Sequence, residues 1–225
     1  MPFKKLAKLV KGRDKILEIL DEAEKEKIGI PETVFSVIKN RRSVRSYNKK
    51  QVDMKLILKV LEAASYAPSV GNYQPWEFIV VRNPEIKKHL VEASYNQKWM
   101  LDAPVFIVAC TNNKIAGAIY GERGLKLYGV QSVSAAVQNM LLAAESLGLS
   151  ACWVGAFSEI MVSRILECPE HVRPCAIITL GYSDFKPRAM PRQKIDEFVH
   201  IGKFGNTLRM QYVKKEKRPT YMKFK

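Results

Sequence analysis

The segment from Gly124 to Leu147 has a helical pattern, and between Gly129 and Ala144 it carries no charged residue. A helix that is apolar or neutral around its whole circumference offers no face to water, so it must be buried on nearly every side. In a chain of 225 residues such a helix is either the central core helix or the seam of an oligomer. Gly148 supplies the stop that glycines give at helix C-termini. The remaining elements must be arranged about this one, and 47% hydrophobic residues allow the sizeable core that either alternative needs.

Strand and helix patterns alternate on both sides of it. Residues 1–28 mix leucines with Lys and Glu at helical spacing and read as an N-terminal helical arm. Pro31 opens a short helix through Ile38. Asp53 is the expected N-cap of a helix running to about Tyr66, with Ile57, Val60, Leu61 and Ala64 inward. Phe78–Val81 reads as a buried strand, Pro84–Ser94 as a helix and Pro104–Cys110 as a second apolar strand. Beyond the neutral helix come a strand Ala151–Val154, a helix Ser158–Leu166 and a strand Ala176–Leu180 ending at Gly181. Taken alone, this alternation points to a doubly wound parallel sheet. Ser94–Asp102 and Thr111–Gly124 read as variable loops, and the tail is basic. The expected organisation is an arm at 1–28, one domain at 29–202 and a basic C-terminal arm at 203–225.

The net charge of +15 attracts polyanions and anionic small molecules alike. The lysines are spread over helix-like faces and both ends, with no zinc-finger or RNP-type pattern, which favours a solvated surface plus an anionic ligand over a specific nucleic-acid partner. No run has the length of a membrane span and the N-terminus lacks a secretory apolar region, so the expected compartment is the cytoplasm. Cys110, Cys152, Cys168 and Cys175 form no Cys-x-x-Cys pair and read as reduced packing residues, without metal. His89, His171 and His200 stand alone in polar contexts. A P-loop, a dinucleotide glycine fingerprint, a serine elbow and a zinc-protease motif are all absent, and no side chain presents itself as a nucleophile. An enzyme built this way would leave the chemistry to a cofactor.

Two stretches are unusual for their context. Arg41-Arg42-Ser43-Val44-Arg45 places three guanidiniums within five residues. Such charges repel unless an anion sits among them, and planar guanidinium forks match phosphate oxygens. A solvated charge run at a helix C-terminus is the other reading. Ala67 to Phe78 combines two prolines, a glycine and an asparagine with Tyr73, Trp76 and Phe78. It is either a ligand-edge loop held by a rigid scaffold or a packed connection that binds nothing.

Together with other pieces these stretches make an ordered set. Arg41 to Arg45 with Tyr47 close behind is followed by Ala67-Pro68-Ser69 through Asn72, then Gln74-Pro75-Trp76 and Phe78. The long helix from Gly129 to Ala144 comes next, then Trp153 to Phe157, Gly181-Tyr182, Lys186-Pro187-Arg188 and Pro191-Arg192. In this order the chain resembles the nitroreductase family of FMN-dependent oxidoreductases over roughly Ile38 to His200. The resemblance implies an α+β sandwich with a central, mainly antiparallel sheet flanked by helices, as an intertwined homodimer with FMN at the interface. It overrides the parallel-sheet reading.

It also implies roles. Arg41, Arg42, Ser43 and Arg192 would hold the FMN phosphate, and Arg45 would lie by the N1 and C2 edge of the flavin. Asn72 would bond the polar side of the ring or the ribityl chain, with Pro68 and Ser69 packing on the cofactor from the partner subunit. Gly155 and Ala156 would turn backbone N–H groups toward O4 and N5, and Trp76 and Phe78 would anchor their loop to the sheet. No protein residue is catalytic in this scheme; NADH or NADPH reduces FMN and a small electron-poor acceptor, a nitroaromatic, quinone or flavin-like molecule, is reduced in turn. A flavin-binding or sensing protein without turnover, and reductive dehalogenation, are the alternatives.

Overall fold

Eight consecutive residues, Val105–Asn112, form a strand (β2) whose first seven are buried. A strand covered on both faces needs no polar alternation, which is why this stretch reads as a continuous apolar run. The computed structural model describes residues 32–207, in two units, 32–189 and 190–207. The expected arm at 1–28 and nearly all of the basic tail lie outside the described residues. No helix among them is long and apolar enough to cross a membrane.

In the first unit, β2 pairs with Trp76–Val81 (β1) and with Val172–Gly181 (β4), and β4 pairs with Ser150–Val154 (β3). The order is β1-β2-β4-β3 and every pair is antiparallel, so alternation of strands and helices does not here mean a doubly wound parallel sheet. The connections carry the chain back with reversed direction. β1 also begins two residues before the expected Phe78, which makes Trp76 a strand residue packed on the core.

Side chains of β2 alternate between two apolar layers. Val105, Ile107 and Ala109 join Ile57, Val60 and Ala64 of a helix at Met54–Ser65 (α2) and Val133, Val137 and Met140 of the helix Gly129–Ser146 (α5). Phe106, Val108 and Cys110 join Leu90 and Val91 of Pro84–Ala93 (α3) and Val162 of Glu159–Ile165 (α6). Local chemistry sets the ends as expected: Asp53 accepts from Lys55 N, Ser158 accepts from Met161 N, and Gly148 follows α5 at φ 70°. A helix at Glu32–Asn40 (α1) ends at the arginine cluster.

The expectation of a loop at Thr111–Gly124 needs correction: Asn112 caps a helix at Asn113–Arg123 (α4) through Ile115 N, and a π-helical turn, Gly124–Tyr128, leads into α5. Within the single chain α5 is covered on one side only, which, of the two alternatives for the neutral helix, leaves open the seam of an oligomer. Ser132, Val133, Ala136, Val137, Met140 and Ala144 are buried, but Gln131 and Gln138 are exposed and Ala135 and Leu142 are only half-buried, leaving one neutral stripe open.

Candidate active site

Arg41 to Arg45 leaves α1 and becomes extended, with Ser43 bridged in parallel to Ala151 of β3 and Val44 N donating to Ala151 O at 3.1 Å. Alternation in an extended segment sends Val44 into the core while Ser43 and Arg45 stay on the accessible side. Among the described residues none of the three guanidiniums has a carboxylate partner. Arg42 Nη1 donates to Lys39 O at 2.5 Å and Arg41 O at 2.9 Å, capping α1, while its Nε is buried without a partner. Below them, burial pushes the Cys152 thiol above its ordinary range while Arg45, the Ser43 hydroxyl and Arg41 pull it down.

β3 runs from Ala151 straight to Gly155 and Ala156, both exposed. A Cβ at Gly155 would meet nothing nearer than Trp153 Nε1 at 3.6 Å, so packing within the chain does not require glycine there. The loop is tied down from one side: Ser158 N donates to Ala93 O at 2.8 Å, and Gln97 Nε2 donates to Ala156 O and Ser94 O, each at 3.0 Å. On the other, Arg173 of β4 makes a bidentate pair with Glu159 at 2.8 and 2.9 Å and holds that carboxyl below its usual range.

The segment carrying Gln97 is itself fixed. Tyr95 and Asn96 take φ of 54° and 56°, and a 3-10 turn, Lys98–Asp102, follows. Lys87 of α3 buries its ammonium and donates to Ala103 O at 2.7 Å, just past that turn, with desolvation lowering its pKa. Trp99 comes to lie 5.7 Å from Arg45 Cζ, a cation–π contact at the edge of its range. Sequence reasoning passed over Gln97 and Trp99. The tryptophan in a supposed loop was a signal of the kind used for Trp76; nothing distinguished Gln97.

The Ala67–Phe78 loop wraps on itself. Gly71, Asn72 and Gln74 have φ of 53°, 60° and 50°; Asn72 N donates to Ser69 O at 3.1 Å and Gln74 N to Ser69 Oγ at 3.0 Å. Val70 N donates to Ser132 Oγ, which seats the loop on α5. Pro68 and Asn72 are exposed and Ser69 is half-buried. Among the described residues no hydrogen bond joins Pro68, Ser69 or Asn72 to Arg41–Arg45 or to Gly155–Ala156. The arginine segment and the Gly155 loop are thus joined through β3, while the third piece is anchored separately, on α5. Arg192 is exposed and belongs to the 190–207 unit, which holds a short helix Ile195–Phe198 and a bridge from His200 to Thr207.

The chain is similar to known proteins over most of this unit. The nitroreductase family model matches residues 38–98 and 89–182. A protein of Methanothermobacter thermautotrophicus, provisionally named NADH dehydrogenase/NAD(P)H nitroreductase, is 41% identical over 161 residues, covering 68% of this chain and 79% of its own length. An FMN reductase [NAD(P)H] of Bacillus subtilis is 29% identical over 172 residues, 71% of this chain and 69% of that one. The NADPH:FMN oxidoreductase of Vibrio harveyi, solved with NAD+, superposes with a TM-score of 0.70 at 25% identity, covering 76% of this chain and 77% of that one. With the family model spanning the whole sheet and a relative 41% identical over two thirds of its length, the chain belongs to the nitroreductase family.

Proposed function

We propose that this protein is an FMN-dependent NAD(P)H oxidoreductase that reduces small electron-poor acceptors by ping-pong transfer, acting as a homodimer. The observation that carries the reading is the arginine segment: three guanidiniums that meet no carboxylate among the described residues, one of them with a buried Nε that finds no partner there. Leaving such a donor unsatisfied is costly, and a phosphate monoester satisfies it with charge-assisted bonds. Gly155 is exposed and a Cβ there would make only an ordinary contact with Trp153, so a planar group lying against its backbone, rather than packing within the chain, accounts for a glycine at this position.

When bound, FMN supplies two-electron exchange between nicotinamide and acceptor. Arg41, Arg42 and Ser43 would hold its phosphate. Arg45 sets a positive charge beside the flavin edge, where electrons are accepted more easily near a cation. Gly155 and Ala156 offer N–H groups in an orientation that Gln97 and Ser158 fix. Pro68, Ser69 and Asn72 serve the partner subunit's cofactor. No protein acid or base is assigned. The cytoplasm, where nicotinamide reductants are available and thiols stay reduced, suits the four free cysteines.

An absorption spectrum of the protein as isolated and after FMN addition, followed by anaerobic NADH and NADPH titration, is the test. A flavin spectrum bleached by one nicotinamide and restored by a nitroaromatic or quinone is expected. Protein that stays colourless with FMN overturns the reading, and bleaching without acceptor-dependent recovery reduces it to a binding module.

The dimer is supported by open apolar and neutral surface: the α5 stripe, and Val34, Phe35 and Ile38 of α1 at 47%, 41% and 40% exposure. Replacing Gln138 and Leu142 together with Glu is expected to give a monomer by sedimentation, since paired charges buried at an interface cost several kcal/mol, on the order of 3 or more. A parental dimer in this variant would place the interface elsewhere.

A further inference from the structure

Tyr47 has no role in the assignment above, yet its hydroxyl lies 2.8 Å from Val44 O, 2.7 Å from Thr179 Oγ1 and 3.4 Å from Thr179 O. Thr179 is fully buried in β4, and its Oγ1 is 3.4 Å from Cys152 O. The two hydroxyls have one proton each. The two short contacts take them: Thr179 donates to Tyr47, and Tyr47 donates to Val44 O. Burial raises the phenol pKa, with the Thr179 bond opposing it, so Tyr47 remains a protonated donor. The ring is confined as well, because a Cβ at Gly181 would come within 2.8 Å of Tyr47 Cδ1 and 2.7 Å of Pro104 Cδ.

Val44 is thus held at both ends of its backbone. Its N–H is bound to Ala151 of β3, and its carbonyl is bound through Tyr47 to Thr179 of β4. Ser43 and Arg45 flank it, and β3 continues from Ala151 to Gly155. Asn48 N donates to Tyr182 O at 2.8 Å, so the docking persists past Tyr47.

We propose that the Tyr47–Thr179 hydroxyl pair is a positioning device that fixes Ser43 and Arg45 against β3, and so sets their place relative to the Gly155–Ala156 loop before any ligand arrives. The inference rests on the flavin reading above. Ordering the segment in advance removes that cost from binding. Neither hydroxyl needs to touch the ligand.

The test measures FMN affinity by flavin fluorescence and amide hydrogen exchange in the flavin-free protein. Tyr47→Phe and Thr179→Val are each expected to weaken FMN binding about 10-fold, while the double variant is no weaker than either single, as for members of one unit. Thr179→Ser, which keeps the hydroxyl, is expected to bind within about twofold of the parent. Exchange should quicken at Val44 N–H and stay unchanged at Ile107 and Ile178. Parental affinity in both hydroxyl-deleted variants overturns the inference. Faster exchange at Ile107 and Ile178 as well would show general loosening, and overturns it too. If the parent itself fails to bind FMN, the flavin reading falls, and Val44 exchange in the free protein still decides whether the pair orders the segment.

Discussion

A variant carrying Arg41→Ala and Arg42→Ala is expected to be isolated colourless and to bind FMN at least about 100-fold more weakly than the parent. Hydrogen bonds to charged groups contribute about 1.5–3 kcal/mol each, so losing two costs about 3 kcal/mol or more, and each 1.4 kcal/mol is tenfold. Arg42 also caps α1 through Lys39 O and Arg41 O, so part of its loss acts on the helix rather than on the ligand. The α1 cap is local, and thermal unfolding of the flavin-free variant should shift by only a few degrees, on the order of 1 kcal/mol for a lost cap. A fluorescence titration showing affinity within threefold of the parent would remove the phosphate from this segment.

Gly124→Ala is expected to cost about 3 kcal/mol of stability, the upper end for overpacking, because its Cβ would collide with the Ala116 carbonyl oxygen. That atom is backbone inside α4 and has no rotamer into which to retreat. Gly121, three residues earlier, differs: a Cβ there would meet nothing within 4 Å, but its φ of 51° and ψ of −136° suit only glycine. Gly121→Ala should cost about 1–2 kcal/mol by backbone strain alone. Urea unfolding of the two variants ranks them, and the reverse order would mean that α4 and the π-helical turn are less closely wound than described.

What could be read in the sequence was what neighbours in the chain decide. Asp53, Ser158 and Gly148 mark helix ends through bonds to residues within four positions and Pro84 through its fixed φ at the first helical position, and each stands where expected. Strand direction is not local. The helix α3 and its following turn return the chain antiparallel to β1, although the same alternation elsewhere builds parallel sheets. The helix α4 was hidden by Gly117 and Gly121 and by the absence of an apolar stripe, although Asn112 stood as its cap. The neutral face of α5 was legible as composition, but whether it meets its own chain or another depends on a second copy.

The site divides in the same way. Arg41, Arg42, Ser43 and Arg45 were legible because adjacent like charges are conspicuous, and Gly155–Ala156 because the ordered motif reached it. Gln97 reaches Ala156 across 59 positions and Tyr47 reaches Thr179 across 132. Pairings at such separation leave no periodic trace; only the folded sheet brings them together.

The order β1-β2-β4-β3 bears on how the chain is made. Among the described strands β4 is the last in sequence, yet it lies in the interior of the sheet, between β2 and β3. Until residues 172–181 emerge from the ribosome, β2 has one bare edge and β3 has no strand beside it, only the bridge from Ser43 and Val44 to Ala151. A nascent chain in that state exposes the ladder most open to wrong pairing with another copy. Completion of this sheet therefore waits for residues 172–181, and the opportunity for wrong pairing narrows only when β4 is inserted between β2 and β3.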